Sequence, residues 1–113
     1  MRYRLTRRAF LTALLFAPIK RIYHPVPIAK LPQTRWTHVE TRGLITYVRK
    51  QQDGDWHITL EDAGAICVCE IIPSLPLPVP AKGIRIAAWG ITRIDKVHGW
   101  AEIHPLEGYR ELT

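Results

Sequence analysis

Glycine and proline break the chain into short runs, and this punctuation limits it to strands and turns. Nine prolines and seven glycines are spread over 113 residues. Proline cannot continue a helix, and glycine weakens one, so from residue 18 onward these breaks favour strands and turns over long helices. The residues within the runs are mostly β-branched and apolar, as strands require. The length suits one domain around one hydrophobic core. With 47% hydrophobic and 23% charged residues the composition is that of a folded chain, not a disordered one.

From Thr37 onward the runs form an ordered series. His38 to Lys50 is the first, with Gly43 inside it where a long, curled strand needs a bend or bulge. Gln51 to Asp55 follows, with an Asp-Gly hairpin signal. In the second run, Trp56 to Glu61, Trp56, Ile58 and Leu60 alternate with His57, Thr59 and Glu61, the pattern of a half-buried strand. Asp62-Ala63-Gly64 is a turn, and Ala65 to Ile72 is a third, mostly apolar run in which Glu70 is the only charge. Cys67 and Cys69 share one face of it and read as small buried hydrophobes. Prolines at 73, 76, 78 and 80 exclude a regular helix from the next connection. Gly83 to Ile94 is the fourth run, interrupted by Gly90. Asp95 to Gly99 is a turn and Trp100 to Pro105 the fifth run. Glu107 to Thr113 reads as a short helical turn or a frayed tail.

Five short strands, a curled first one and a long connection between the third and fourth predict an all-β fold. The expectation is a five-stranded OB-like barrel over residues 37–113, with a small SH3-like barrel as the alternative. Asp53-Gly54-Asp55-Trp56-His57-Ile58 together with His98-Gly99-Trp100-Ala101-Glu102-Ile103-His104-Pro105 resembles a pattern in small bacterial OB-like proteins with no agreed activity. The resemblance spans most of residues 37–107 and implies a fold, not a chemistry.

The N-terminal part differs in kind. Residues 1–30 carry Arg2, Arg4, Arg7, Arg8, Lys20, Arg21 and Lys30 and no acid. The rest of the chain holds nine basic residues against all ten acidic ones, so the high pI of about 9.8 belongs to the N-terminal segment and the domain is near neutral. Residues 1–23 combine this basic start with an apolar run, Ala9 to Ile19, about half the ~20 residues that a membrane-spanning helix needs. Thr6-Arg7-Arg8-Ala9-Phe10-Leu11 resembles the twin-arginine export motif, with Arg7, Arg8, Phe10 and Leu11 at the motif positions. No Ala-x-Ala cleavage site follows, so the segment is expected to act as an export signal or a retained anchor in contact with a membrane. That places the domain in the periplasm or at the membrane; a cytoplasmic protein with an apolar N-terminal helix is the alternative. Residues 24–36, with Pro25, Pro27 and Pro32, read as an extended linker.

Three groups of side chains are candidates for function. Barrels of this type bind nucleic acid or oligosaccharide on exposed rings of the second and third strands. Trp56, flanked by Arg49 and Lys50, with His57 and Arg85, is the expected ligand-binding set. Trp89 and Trp100 are expected to fill the barrel, and Trp36, Tyr47 and Tyr109 complete the larger aromatics considered. His57, Glu102 and His104 form a second set, in which two imidazoles and a carboxylate converge if the faces of the second and fifth strands meet. The ordinary alternative is that such residues cap turns, as Asp53 and Asp55 do around a hairpin. Asp53-Gly54-Asp55 also resembles the start of the micrococcal nuclease signature, but no arginine follows until Arg85 and the chain lacks room for the rest of that signature, so a nuclease is not expected.

No phosphate-binding glycine loop, dinucleotide fingerprint or nucleophile in a recognisable setting is present, and no cofactor is implied. The expectation is a non-catalytic OB-type binding module for single-stranded nucleic acid. The alternative is an exported or tethered envelope domain that binds a protein, a glycan or a small ligand.

Overall fold

The computed structural model describes residues 22–113, which form six strands and one short 3-10 helix. The strands are β1 (His24–Pro25), β2 (His38–Lys50), β3 (Trp56–Asp62), β4 (Ala65–Ile71), β5 (Arg85–Asp95) and β6 (Trp100–Glu111), and the helix spans Ile28–Gln33. The sheet order is β1-β2-β3-β4-β6-β5, and β2 also pairs with β5. That pairing closes β2 to β6 into a five-stranded barrel, as the strand series predicts, with β1 as an extra strand.

Closure works because β2 serves two neighbours. Its first half, His38 to Leu44, pairs with Ile91 to Arg85 of β5, and its second half, Leu44 to Lys50, pairs with Glu61 to Trp56 of β3. Gly43 sits where the strand changes partner. A Cβ there would lie 3.0 Å from both the Glu61 carbonyl oxygen and Ile28 Cδ1, so any side chain would push the strands apart. Gly90 is tighter still: a Cβ would overlap the Pro105 carbonyl oxygen, at the irregularity where the β5–β6 register shifts.

Alternation then fills the inside. Val39 and Ile45 of β2, Ile58 and Leu60 of β3, Cys67, Cys69 and Ile71 of β4, Ile86 and Ala88 of β5, and Ala101, Ile103 and Leu106 of β6 form one buried cluster. Cys67 and Cys69 are free thiols inside it, as small hydrophobes. Burial and the neighbouring Cys67 raise the Cys69 thiol well above its ordinary pKa, which keeps it neutral.

Two expectations need correction. Residues 24–36 are not a free linker. β1 pairs in parallel with Val39 and Glu40, and the 3-10 helix inserts Ile28 and Leu31, 2% and 1% exposed, into the barrel core. This helix touches all five barrel strands and so plugs one end. Three prolines hide this in the sequence, yet they suit a short tight helix and the extended backbone on either side of it (Pro27, φ −61°, ψ 149°). Nor is the C-terminal stretch a helical turn or a tail: β6 continues through Pro105 to Glu111, antiparallel to β5. The predicted export segment lies outside the described residues, with Arg7, Arg8, Phe10 and Leu11. Among the described residues no helix is long and apolar enough to cross a membrane.

The plug is testable. Leu31→Ala leaves the strands untouched but empties the end of the core, and should lower stability by about 2–5 kcal/mol in urea unfolding, as for other fully buried leucines. A loss below about 0.5 kcal/mol would mean that the segment merely rests on the barrel.

Candidate functional site

Register brings the polar residues of four strands onto one outer face. Arg49 stands opposite His57, and His57 opposite Glu70. Cys69 pairs with Ile103, which sets Glu70 beside His104. These four form one rung across β2, β3, β4 and β6. The next rung is Tyr47, Thr59, Val68, Glu102 and Arg93, opposed in that order from β2 to β5. All face outward because their strand neighbours Ile58, Cys69 and Ile103 face inward.

A groove of about 280 Å³ crosses this face. It is lined by Tyr47, Arg49, His57, Val68, Trp100 and Glu102, among others, with Gln51 at one end and Asp95 and His98 at the other. It therefore lies between the β2–β3 turn and the β5–β6 turn. Both turns are fixed by aspartates. Asp53 Oδ1 accepts the Asp55 N–H at 2.9 Å, so Asp53 serves the turn and leaves the Asp55 carboxylate for the sheet. Asp95 Oδ1 accepts the N–H groups of Val97 (2.9 Å) and His98 (3.1 Å), and Asp95 Oδ2 lies 2.7 Å from His98 Nδ1. The His98 contacts hold the Asp95 carboxyl down at about 2. They also orient the His98 ring, which stacks on Trp100 with centroids 4.6 Å apart and planes 9° from parallel.

Below the groove lies a buried polar cluster. Glu70 is 4% exposed although its strand neighbours are apolar. Its Oε1 is 3.3 Å from His57 Nε2 and 3.4 Å from His104 Nε2, and Asp55 Oδ2 is 3.9 Å from His104 Nε2. Glu102, also 4% exposed, hydrogen-bonds Glu70 and accepts from Arg93 Nε at 2.9 Å. Burial pushes the Glu70 carboxyl up to about 7, helped by Glu102 and opposed by His104 and Arg93. Glu70 thus holds a proton near neutrality.

The sequence-predicted residues fall in three places. His57 and His104 both approach Glu70, which is the carboxylate between the imidazoles, and Glu102 lies with His57 on the groove. Glu70 was legible only as the lone charge of an apolar strand. Arg49 reaches the groove, and Lys50 next to it belongs to a separate depression at the Gln51–Asp53 turn. Trp56 does not reach the groove: it packs against the core, near Ile72, Pro73 and Pro76. Trp100, expected inside the barrel, is on the groove instead. Trp89 also lies outside, against the backbone of Gly108 and near Tyr23. Arg85 is opposite Leu44, in the middle of β2, and pairs with Asp62 at 3.6 Å, away from the groove. Of the other rings, Trp36 stacks on His24 and Tyr109 donates to the Pro78 carbonyl. Another depression, of about 320 Å³ and bordered by Pro25, Thr41 and Arg42, gathers no comparable set of rings and acids.

The raised Glu70 pKa has a definite sign. The folded state holds this proton more tightly than the unfolded chain. The resulting stabilisation is fully present below the ordinary value of 4.5 and is lost as pH rises through about 7. Its size is on the order of 3 kcal/mol. Glu70→Gln imitates the protonated acid, so in EDTA its stability relative to the parent should climb between pH 4.5 and 8. Parallel stability–pH curves for the two proteins would contradict a proton held on buried Glu70.

Comparison with known proteins bears on the fold. No family model matches the chain, and no curated protein sequence matches it. Solved structures do. The hypothetical protein YgiW of E. coli superposes with a TM-score of 0.58 at 18% identity, over 79% of this chain and 90% of that one. A putative aspartyl-tRNA synthetase from Leishmania major Friedlin superposes with a TM-score of 0.62 at 12% identity, over 86% of this chain but only 22% of the synthetase. At these identities the likeness is one of architecture: the chain has the closed, OB-like five-stranded barrel of YgiW.

Proposed function

We propose that the chain is a non-catalytic binding module of the OB type that seats its ligand in the groove between the β2–β3 and β5–β6 turns. The observation that carries this reading is the stacked pair His98–Trp100 facing a sheet that bears Tyr47 and Arg49. Flat rings beside polar side chains suit a sugar face or a small cyclic ligand. Charge favours an uncharged one. Glu70, Glu102 and Asp95 line or underlie the groove, and Arg93 is already held by Glu102. A phosphodiester backbone would meet little net positive charge there. A glycan or small polar ligand of the cell envelope is therefore the first choice, in keeping with the twin-arginine-like Arg7-Arg8 segment. Single-stranded nucleic acid is the second, favoured by Arg49 and Lys50 at the rim and by a barrel shared with a tRNA synthetase.

The test is tryptophan fluorescence of the full-length protein in EDTA, titrated in parallel with neutral oligosaccharides and single-stranded oligonucleotides. Saturable quenching by an oligosaccharide, insensitive to salt and weakened about tenfold or more in Trp100→Ala, is expected. Quenching by oligonucleotides alone that fades with salt would select the second ligand. Silence in both series would remove the groove as a seat. For location, a tagged full-length chain should fractionate with the envelope, and Arg7→Lys with Arg8→Lys should retain it in the cytosol.

A further inference from the structure

The Glu70 cluster has a composition and spacing that ring-binding does not use. Asp55, Glu70 and His104 each offer one ligand atom, all within 4.8 Å of one another, while His57 Nε2, 3.3 Å from Glu70, stands outside that group. We propose that His104 Nε2, Glu70 and Asp55 bind a first-row divalent transition-metal cation of the zinc class, with solvent in the remaining position.

Three observations support this. First, the spacing fits. Zinc bonds of about 2.0–2.2 Å in a tetrahedron put neighbouring donor atoms roughly 3.3–3.6 Å apart. The His104–Glu70 distance is 3.4 Å, and the Asp55–His104 distance of 3.9 Å is within a small side-chain rotation of that range.

Second, the donor set has a preference. An imidazole with two carboxylates suits zinc, cobalt, nickel or iron, whereas calcium and magnesium take oxygen ligands almost throughout. Cys67 and Cys69 point into the barrel on the opposite face of β4 and are not part of the set.

Third, an outer shell is already in place. Glu102 hydrogen-bonds Glu70 and is anchored by Arg93, the kind of support that fixes the orientation of ligating carboxylates. Asp53 takes the turn-capping role, which frees Asp55. A route for the ion exists, since the His104 and Asp55 side chains are 24% and 14% exposed while that of Glu70 is 6% exposed. The ligands come from β4, β6 and a turn, and so have no compact spacing in the sequence.

Full-length protein stripped with EDTA is titrated with Zn²⁺ alone against a chromophoric chelator, and separately with Co²⁺ under visible absorption. One equivalent of Zn²⁺ should bind and raise the melting temperature, and Co²⁺ should develop the d–d bands of a low-coordinate nitrogen–oxygen site. Glu70→Gln, which preserves shape, and His104→Ala or Asp55→Asn should each weaken binding by at least about tenfold. His24→Ala, outside the cluster, should not. No uptake by the parent protein would overturn the proposal, as would undiminished uptake by Glu70→Gln and the double Asp55→Asn, His104→Ala variant. These titrations contain no organic ligand, and those of the groove contain EDTA, so either reading can fail without the other.

Discussion

β2 hydrogen-bonds to β5 along its first half and to β3 along its second, and everything else in the molecule follows from that division. A strand with one pairing edge would leave an open sheet with two exposed edges, an invitation to pair with another chain. Sharing β2 removes the edges but demands a sharp change of direction in mid-strand. Gly43 permits it, and the space a side chain would need there is filled by Glu61 and by Ile28 of the plug. The bend, the closure and the seating of the N-terminal segment are thus one constraint met at one residue.

The plug and the proline-rich connection divide a task. A small barrel leaves the ends of its core open, and this one draws Ile28 and Leu31 from the N-terminal side to cover one end. The connection from β4 to β5, with four prolines, runs outside as irregular backbone, its Leu77 resting on the core while Tyr109 hydrogen-bonds to Pro78. Two fully buried aliphatic side chains stabilise by roughly 3–6 kcal/mol, a large share of the margin for so small a domain.

The strands were legible because their signals are local: Val39 to Ile45 and Trp56 to Leu60 alternate, and Asp53-Gly54 and Asp62-Ala63-Gly64 mark turns. What failed was non-local. Ile28 and Leu31 look like linker residues until a barrel end is there to receive them. Pro105 reads as a strand end because proline cannot donate to a ladder; β6 passes it at a register shift, where that donor is not needed. Trp56 and Trp100 exchanged roles for a similar reason. Both begin strands and both are partly buried, and only the register decides which ring lies over the core and which over the outer face. Glu70 could be seen as out of place among apolar neighbours, but nothing within its strand says that His57 and His104 flank it.

That lone charge explains the character of the outer face. A carboxyl with 4% exposure is costly unless it is neutral or paired. Here the protein does some of both: Glu70 holds a proton near neutral pH, two imidazoles approach it, and Arg93 neutralises Glu102 behind it. Replacing such a network with apolar side chains is often neutral or stabilising, so stability alone is a poor reason for its presence. Its position is more telling. The Arg49–His57–Glu70–His104 rung ends beside Asp55, in the turn at one end of the groove, and the adjacent rung leads through Glu102 toward Trp100 and the Asp95–His98 turn at the other. Any change in the charge on Glu70 therefore acts first on His57, His104 and Glu102, of which His57 and Glu102 are walls of the groove. The groove and the buried acid are electrostatically one unit, built on adjoining rungs of the same four strands.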